Sequence, residues 1–172
     1  MQINTSVKLV VTGLLTYSSL SQIFIRETWW FIQNVNLIFH EAGHILFIFF
    51  GSFMSLIGGS LLEILIPLLI TGYFIFSKQI FSSVCTAWWL STAFLSVSIY
   101  AADARERSLQ LITNDPNTHD WFNILLQLNL LRYDVIIGYV FWCASLLSVG
   151  LMLFLLTKDI DVKKLLNRHR LR

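Results

Sequence analysis

Long uncharged apolar runs restrict the fold of this chain more than any other feature of its sequence. A helix needs about 20 apolar residues to cross roughly 30 Å of hydrocarbon, since each residue advances it about 1.5 Å. Five stretches of the 172 residues approach that length. We therefore predict the all-α class, a polytopic helical membrane protein with spans over residues 7–25, 29–50, 61–76, 80–102 and 135–156.

Composition excludes several other classes of protein. With 56% hydrophobic and only 13% charged residues, the chain is too apolar for a soluble domain. The formal net charge of +2 is small and concentrated near the C-terminus, so nucleic-acid binding is not expected. Two cysteines are too few for a disulfide scaffold. The expected partner is the lipid bilayer.

Three segments outside the predicted spans have their own character. Residues 51–60 contain three glycines and no charge, which makes them a candidate re-entrant segment that packs beside the polar second span. Residues 103–134 form a polar loop, within which Trp121–Leu131 has the spacing of a helix lying on the bilayer surface. Residues 157–172 form a basic tail.

The distribution of Lys and Arg predicts the orientation, because these residues stay on the cytoplasmic side more often than they cross. A cytoplasmic tail and five spans place the N-terminus outside. Eight basic residues then lie inside (Arg26, Lys78 and six in the tail) and four outside (Lys8, Arg105, Arg107 and Arg132). The C-terminus is therefore expected in the cytoplasm.

One motif carries chemistry, and it lies in the second predicted span. His40-Glu41-Ala42-Gly43-His44 has the pattern H-E-x-x-H, which on a helix places both histidines on one face. Two imidazoles and a third protein ligand would hold a zinc ion and leave a fourth position for water. Glu41 is then the candidate catalytic base that accepts a proton from this water.

The alternative is that these side chains merely face other helices. Three ionisable groups in five residues are expensive on a lipid-facing surface, at roughly 2.5–3.5 kcal/mol for an acid near mid-span. They therefore need partners or a functional cavity, which favours a metal site.

The third metal ligand has three candidates, Asp103, His119 and Asp120. Each has a structural alternative, because Asp103 can pair with Arg107 four residues on, and His119 or Asp120 can cap the surface helix. Asp103 ends a long span and should lie near one membrane face, whereas His40 and His44 lie about half way across. A loop that folds inwards would bring His119 and Asp120 to the motif more easily.

Glu63 is a further ionisable residue within a predicted span, four residues before Pro67. Proline disrupts the helix there and leaves the Glu63 carbonyl without its usual partner. The side chain is either a partner of the motif or substrate, or a carboxylic acid that burial keeps neutral.

The motif within an apolar span, followed by a glycine-rich apolar stretch and further spans, resembles the membrane-embedded zinc metallopeptidases of the site-2 protease class. The resemblance implies that His40 and His44 bind zinc and that Glu41 is the base in peptide hydrolysis. The class takes its third ligand from an Asn-Pro-Asp-Gly or Leu-Asp-Gly motif, which this chain lacks. Residues 100–107 and 119–121 also resemble a group of small bacterial membrane proteins with H-E-x-x-H, which implies a bacterial inner membrane and functional roles for Asp103, Arg105, His119 and Asp120.

The sequence leaves two main functions open. The first is an intramembrane zinc peptidase acting on a membrane-anchored peptide or protein. The second is a catalytically inactive scaffold or assembly module that retains the metal site, favoured by the small size and the missing Asp-Gly motif. A metal or proton transporter is weaker, since the ionisable residues do not line several helices. Either main function allows a homo-oligomer or a partner subunit.

Overall fold

The computed structural model describes residues 3–25 and 30–160, and within them no strand occurs. Three 3-10 turns, Ile48–Phe50, Pro116–Thr118 and Leu131–Tyr133, precede the third, fifth and sixth helices. The prediction of an all-α fold is confirmed. The helices are α1 (Thr5–Phe24), α2 (Phe31–Phe47), α3 (Ser52–Phe76), α4 (Ile80–Ala102), α5 (Asp120–Gln127) and α6 (Asp134–Asp159).

Four segments of the described chain are long and apolar enough to cross a membrane: α1, α3, α4 and Leu131–Asp159, which contains α6. Their outer faces expose large apolar side chains, for example Leu14 at 64% and Leu147 at 75%. Such surfaces suit lipid and not water, so the chain is treated below as a membrane protein. The predicted number of about five spans is not confirmed, because α2 ends at Phe47 after 17 residues.

The predicted bounds of the other segments agree only in part with the helices of the structure. The fourth span, residues 80–102, coincides with α4, and the surface helix occurs as α5, shorter than predicted. It stops near Asn129, whose φ of 57° is left-handed. Residues 161–172 of the predicted tail, Arg26 and the start of the predicted second span lie outside the described residues.

The prediction of a re-entrant segment at residues 51–60 is wrong. Only Gly51 interrupts the helices, with a φ of 97°, and Ser52–Ser60 forms the first turns of α3. Gly58 serves close packing, because a Cβ there would lie 2.8 Å from the carbonyl oxygen of Gly43 on α2. Small residues let helix backbones approach closely in a membrane, where interhelical packing must supply much of the stability.

Helix α4 lies at the centre of the bundle and packs against α6, α3, α1 and α2. Its contact with α6 is also close, since a Cβ on Gly138 would lie 2.7 Å from the Ala102 Cβ. The Ser98 hydroxyl donates to the Gly138 carbonyl over 2.8 Å. Small side chains and hydroxyl hydrogen bonds thus hold these two helices together.

The polar face of α2 points into the bundle. Gln33, Asn36 and His40 are buried, whereas Ile38 and Ile45 are exposed. The Gln33 amide donates to Gln22 Oε1 of α1 over 2.9 Å. The Trp89 indole of α4 donates to Asn36 Oδ1 over 2.9 Å. These bonds satisfy polar groups that lipid could not, and they fix the rotation of α2 about its axis.

We predict that Gly43→Ala destabilises the bundle, because a Cβ at this position would collide with the carbonyl of Gly58. The free energy of unfolding should fall by about 1–3 kcal/mol, as is typical of overpacking. Thermal unfolding in detergent, followed by circular dichroism, measures this. The matched control is Gly13→Ala in α1, where a Cβ would meet nothing within 4 Å. Equal stability of both variants would contradict the assigned packing of α2 against α3.

Candidate metal centre

Two imidazoles and a carboxylate converge on one point inside the bundle. His40 Nε2 lies 3.1 Å from Asp120 Oδ2, and His44 Nε2 lies 3.2 Å from the same oxygen. One ligand atom from each of the three residues lies within 4.8 Å of the others. His40 and Asp120 are buried and His44 is partly buried. Within the described ranges this is the group whose donors could hold a metal ion.

Local geometry explains how each ligand reaches this point. His40 and His44 are one turn apart on α2, so they share a face. Asp120 is the first residue of α5. Its backbone N–H donates to the Tyr100 hydroxyl over 3.0 Å, and that hydroxyl donates to Asp120 Oδ2 over 3.1 Å. Tyr100 of α4 therefore fixes both the backbone and the side chain of Asp120.

A second contact holds α5 over the site. The Trp121 indole donates to the Ser60 hydroxyl of α3 over 3.0 Å. Phe53 and Leu56 of α3 also pack against an apolar cluster that includes Ile124 and Leu125 of α5. The short helix α5 is thus anchored on the first turns of α3, which places Asp120 between α2 and α4.

The other ring nitrogens of both histidines face acceptors. His40 Nδ1 lies 3.1 Å from Glu63 Oε2, and His44 Nδ1 lies 2.8 Å from the carbonyl oxygen of Ser55. A carbonyl can only accept, so His44 carries its proton on Nδ1. The same assignment for His40 leaves both Nε2 lone pairs directed at a carboxylate. Without a metal ion, each ring needs a second proton to bind the carboxylate, and a shared metal ion would replace both protons.

Two of the three donor separations are compatible with a zinc ion. Zinc binds imidazole nitrogen and carboxylate oxygen at about 2.0–2.2 Å, so a tetrahedral site separates its ligands by about 3.3 Å. The separations of 3.1 and 3.2 Å to Asp120 agree with this value. Gly59 faces the same point, because a Cβ there would lie 2.7 Å from His40 Nε2. Only a glycine leaves this space open.

Asp120 is an anion in this environment. Burial opposes its ionisation, but with no metal bound the protonated rings of His40 and His44 donate to the carboxylate and lower the pKa of Asp120 to about 2. A charged carboxylate is a better ligand for a divalent cation than a neutral acid.

Glu41 lies next to the metal ligands and is exposed. It lines an open cavity of about 550 Å³ together with His40, His44 and Asp120. The cavity gives water and a ligand access to the site, which a purely structural metal site would not require. Glu63 lines the same cavity, so the structure places it beside the motif as the hydrogen-bond partner of His40.

His119 and Asp103 lie outside the group of three ligands. His119 Nδ1 accepts from the Phe122 N–H over 3.2 Å and so caps α5. Its Nε2 lies 3.4 Å from Asp103 Oδ2. Burial lowers the pKa of His119, more than the nearby Asp103 raises it. A neutral His119 can accept at Nδ1, as the cap requires.

Asp103 organises the loop that follows α4. It accepts from the backbone N–H groups of Ser108 over 3.0 Å and Leu109 over 3.1 Å. The carboxylate therefore pairs with these groups and lies close to His119, instead of pairing with the Arg107 side chain considered from the sequence. Arg105 also lies away from the metal ligands, since its guanidinium binds Asp134 over 2.7 Å.

Sequence reasoning missed three residues that shape the site: Tyr100, Ser55 and Gly59. Tyr100 lies at the end of an apolar helix and has no motif spacing to Asp120. Ser55 contributes a backbone carbonyl, which any residue could supply. Gly59 had a usable signal, since a glycine inside a helix indicates close approach of another group.

Comparison of the chain with protein-family models, with curated proteins and with solved structures finds no match. The resemblance to site-2 proteases therefore stays a prediction, and the chemistry of the site rests on its geometry.

We predict that Asp120→Ala removes bound metal whereas Asp103→Asn keeps it. Loss of the anionic ligand leaves only two imidazoles, which is too few for a tight zinc site. Metal per chain, measured by elemental analysis after purification in detergent and exchange into zinc buffer, should fall close to zero only for Asp120→Ala. The opposite result would assign the third ligand to Asp103.

We also predict that Glu63→Ala weakens metal binding by about 10- to 100-fold, as is typical when the carboxylate partner of a ligating histidine is lost. His40 would then lose the acceptor that orients its ring. Competition with a chelator measures the zinc affinity. Glu63→Gln is the control, because its amide oxygen can still accept from Nδ1, and it should retain most of the affinity. If the two variants bind equally weakly, charge and not orientation is the contribution of Glu63.

Proposed function

We propose that this protein is a membrane-embedded zinc peptidase that hydrolyses peptide bonds of membrane-associated substrates. The observation that carries the proposal is the convergence of His40, His44 and Asp120 within an open cavity that Glu41 also lines. Two imidazoles and one carboxylate are the ligand set of many hydrolytic zinc sites.

In the proposed hydrolysis, each residue of the site has its own role. His40, His44 and Asp120 would hold the zinc ion, which lowers the pKa of a bound water towards 7 and polarises a carbonyl group. Glu41 accepts the proton of the attacking water and passes it to the leaving amine. Glu63 and Ser55 hold the two imidazole rings in orientation, and Tyr100 does the same for Asp120.

The surroundings of the site support a substrate that is itself in or at the membrane. The ligands lie among helices whose outer faces are apolar. A chain that reaches this cavity must unwind locally to present its backbone to Glu41. We further propose that the protein lies in a bacterial inner membrane with a cytoplasmic C-terminus, an orientation supported by the six basic residues of the tail.

We predict that Glu41→Gln lowers the turnover number for peptide hydrolysis by about 100-fold or more, since a neutral amide cannot accept the proton. The zinc content should stay at one ion per chain, because Glu41 is not a ligand. A labelled, unstructured polypeptide such as casein, together with membrane-anchored fusion proteins, serves as substrate for the purified protein in detergent.

The Asp120→Ala variant is the control, since it should lose both zinc and activity. Cleavage that persists in Glu41→Gln comes from another enzyme or mechanism and contradicts the proposal. A wild-type protein that binds zinc and cleaves none of these substrates, and whose Glu41→Gln variant still complements a deletion strain, would support the scaffold alternative.

A further inference from the structure

The helix ends lie on two opposite faces of the bundle. The Lys8 ammonium, in the first turn of α1, binds the Asp159 carboxylate at the last residue of α6 over 2.6 Å. It also lies 5.4 Å from the centre of the Phe81 ring, at the start of α4. Lys78, in the turn before α4, lies at the same end of the bundle. We name this end the Lys8 face.

The metal ligands lie near the opposite end. Tyr100 is two residues from the end of α4, and its hydroxyl donates to Asp120 over 3.1 Å. At 1.5 Å per residue, Tyr100 is about 30 Å along α4 from Ile80, which is about the thickness of the hydrocarbon. The loop of residues 103–119 and α5 follow at this end, which we name the loop face. The ligands therefore lie near one end of the bundle and not half way along it.

Helix α2 does not carry the chain back to the Lys8 face. Its third residue, Gln33, donates to Gln22, which is two residues before the end of α1. Near its other end, His44 faces the Ser55 carbonyl in the first turn of α3. The described chain therefore passes between the two faces through α1, α3, α4 and α6, the same four segments that are apolar enough to cross a membrane.

The charge of the two faces differs. Counted along the sequence, eight of the twelve Lys and Arg belong to the Lys8 face, namely Lys8, Lys78 and six within residues 157–172. The other four, which include Arg26, belong to the loop face. The five-span prediction gives the same ratio with Lys8 and Arg26 exchanged, so the Lys8–Asp159 contact decides between them. Because Lys and Arg stay in the cytoplasm more often than they cross, the Lys8 face is expected there.

The cavity is accessible from the loop face. Gln110, Thr113 and Thr118 of the loop line it, and all three are exposed. Glu41, on the opposite wall, is exposed as well. A polypeptide segment in the water beside the membrane can therefore reach the metal ligands without entering the hydrocarbon.

We propose that the metal cavity opens at the extracytoplasmic face of the membrane, and that its substrates present a membrane-proximal segment on that side. The sidedness rests on the helix contacts and the charge, and it does not depend on any activity. The substrate class also rests on the proposed peptidase function. Lys8 then lies in the cytoplasm together with Asp159, in place of the outside N-terminus expected from five spans.

Single cysteines test the sidedness, in a chain that carries Cys85→Ala and Cys143→Ala. Gln79→Cys marks the Lys8 face, Glu106→Cys marks the loop face and Gln110→Cys marks the cavity wall, and all three positions are exposed. A charged maleimide is added to intact bacterial spheroplasts and, separately, to lysed ones. Unchanged helical circular dichroism of each purified variant shows that the fold is intact.

We expect Glu106→Cys and Gln110→Cys to label at least about tenfold faster than Gln79→Cys in intact spheroplasts, because a charged reagent crosses hydrocarbon poorly. After lysis, the difference should disappear for Gln79→Cys and Glu106→Cys. Labelling of Gln79→Cys alone before lysis would overturn the sidedness. Equal labelling of Gln79→Cys and Glu106→Cys before lysis would overturn it too, since the two faces would not be separated by a membrane.

A matched pair of membrane-anchored fusion proteins tests the substrate class. Each has one apolar span and the same unstructured segment beside it, which lies outside the cell in one fusion and in the cytoplasm in the other. We expect cells with the wild-type protein to cleave only the outward fusion, and cells with Glu41→Gln to cleave neither. Immunoblots of a tag on the anchor measure the cleaved fraction.

The two experiments fail separately. Labelling as expected without Glu41-dependent cleavage of either fusion would remove the proposed peptidase function and its substrate class, and would leave the sidedness standing. Cleavage of the cytoplasmic fusion, alone or equally with the outward one, would overturn the substrate class and leave the peptidase function standing.

Discussion

The close approach of α2 and α3 is the contact on which the site depends. Gly43 and Gly58 let the two backbones touch, and this brings the Ser55 carbonyl and the Glu63 carboxylate against the histidines of α2. Larger residues at the crossing would separate the helices by an ångström or more. Both imidazoles would then lose the acceptors that turn their Nε2 atoms towards Asp120. The geometry of the candidate metal site is therefore a consequence of helix packing, and the glycines contribute to it as much as the three candidate ligands do.

The bilayer explains why so many polar groups of this small protein are paired with one another. Burial of an unpaired polar group in hydrocarbon costs several kcal/mol, and water is not available to satisfy it. Gln22, Gln33, Asn36 and Trp89 form one connected set of side-chain hydrogen bonds across three helices. This set continues the polar face of α2 up to His40. The polar residues that hold the helices together are therefore continuous with the candidate site.

Much of the fold follows from the sequence because hydrophobic length is a local property. The predicted span at residues 80–102 coincides with α4, because a charge-free apolar run of this length, bounded by polar residues, favours a membrane-spanning helix. The prediction of a re-entrant segment at residues 51–60 is wrong for an equally physical reason. Glycine breaks helices in water, but in a membrane it also allows two helices to touch, and residues 51–60 contain both uses. Gly51 has a left-handed φ and ends a helix, whereas Gly58 and Gly59 lie inside one.

For the candidate site too, the sequence predicts contacts between residues that are close in the chain and fails for residues that are far apart in it. The spacing of His40 and His44 is sufficient to place them on one face, and the structure does so. The third ligand depends on how the loop after α4 folds back, which no spacing rule contains. Two neighbouring residues of this loop have different roles. His119 caps α5 and lies near Asp103. Asp120, the next residue, faces His40 and His44 of α2. Successive residues at a helix start point in different directions, so only one of the pair can face α2. Because His119 forms the cap, Asp120 is the residue that completes the candidate metal site, and Asp103 acts through the loop it holds.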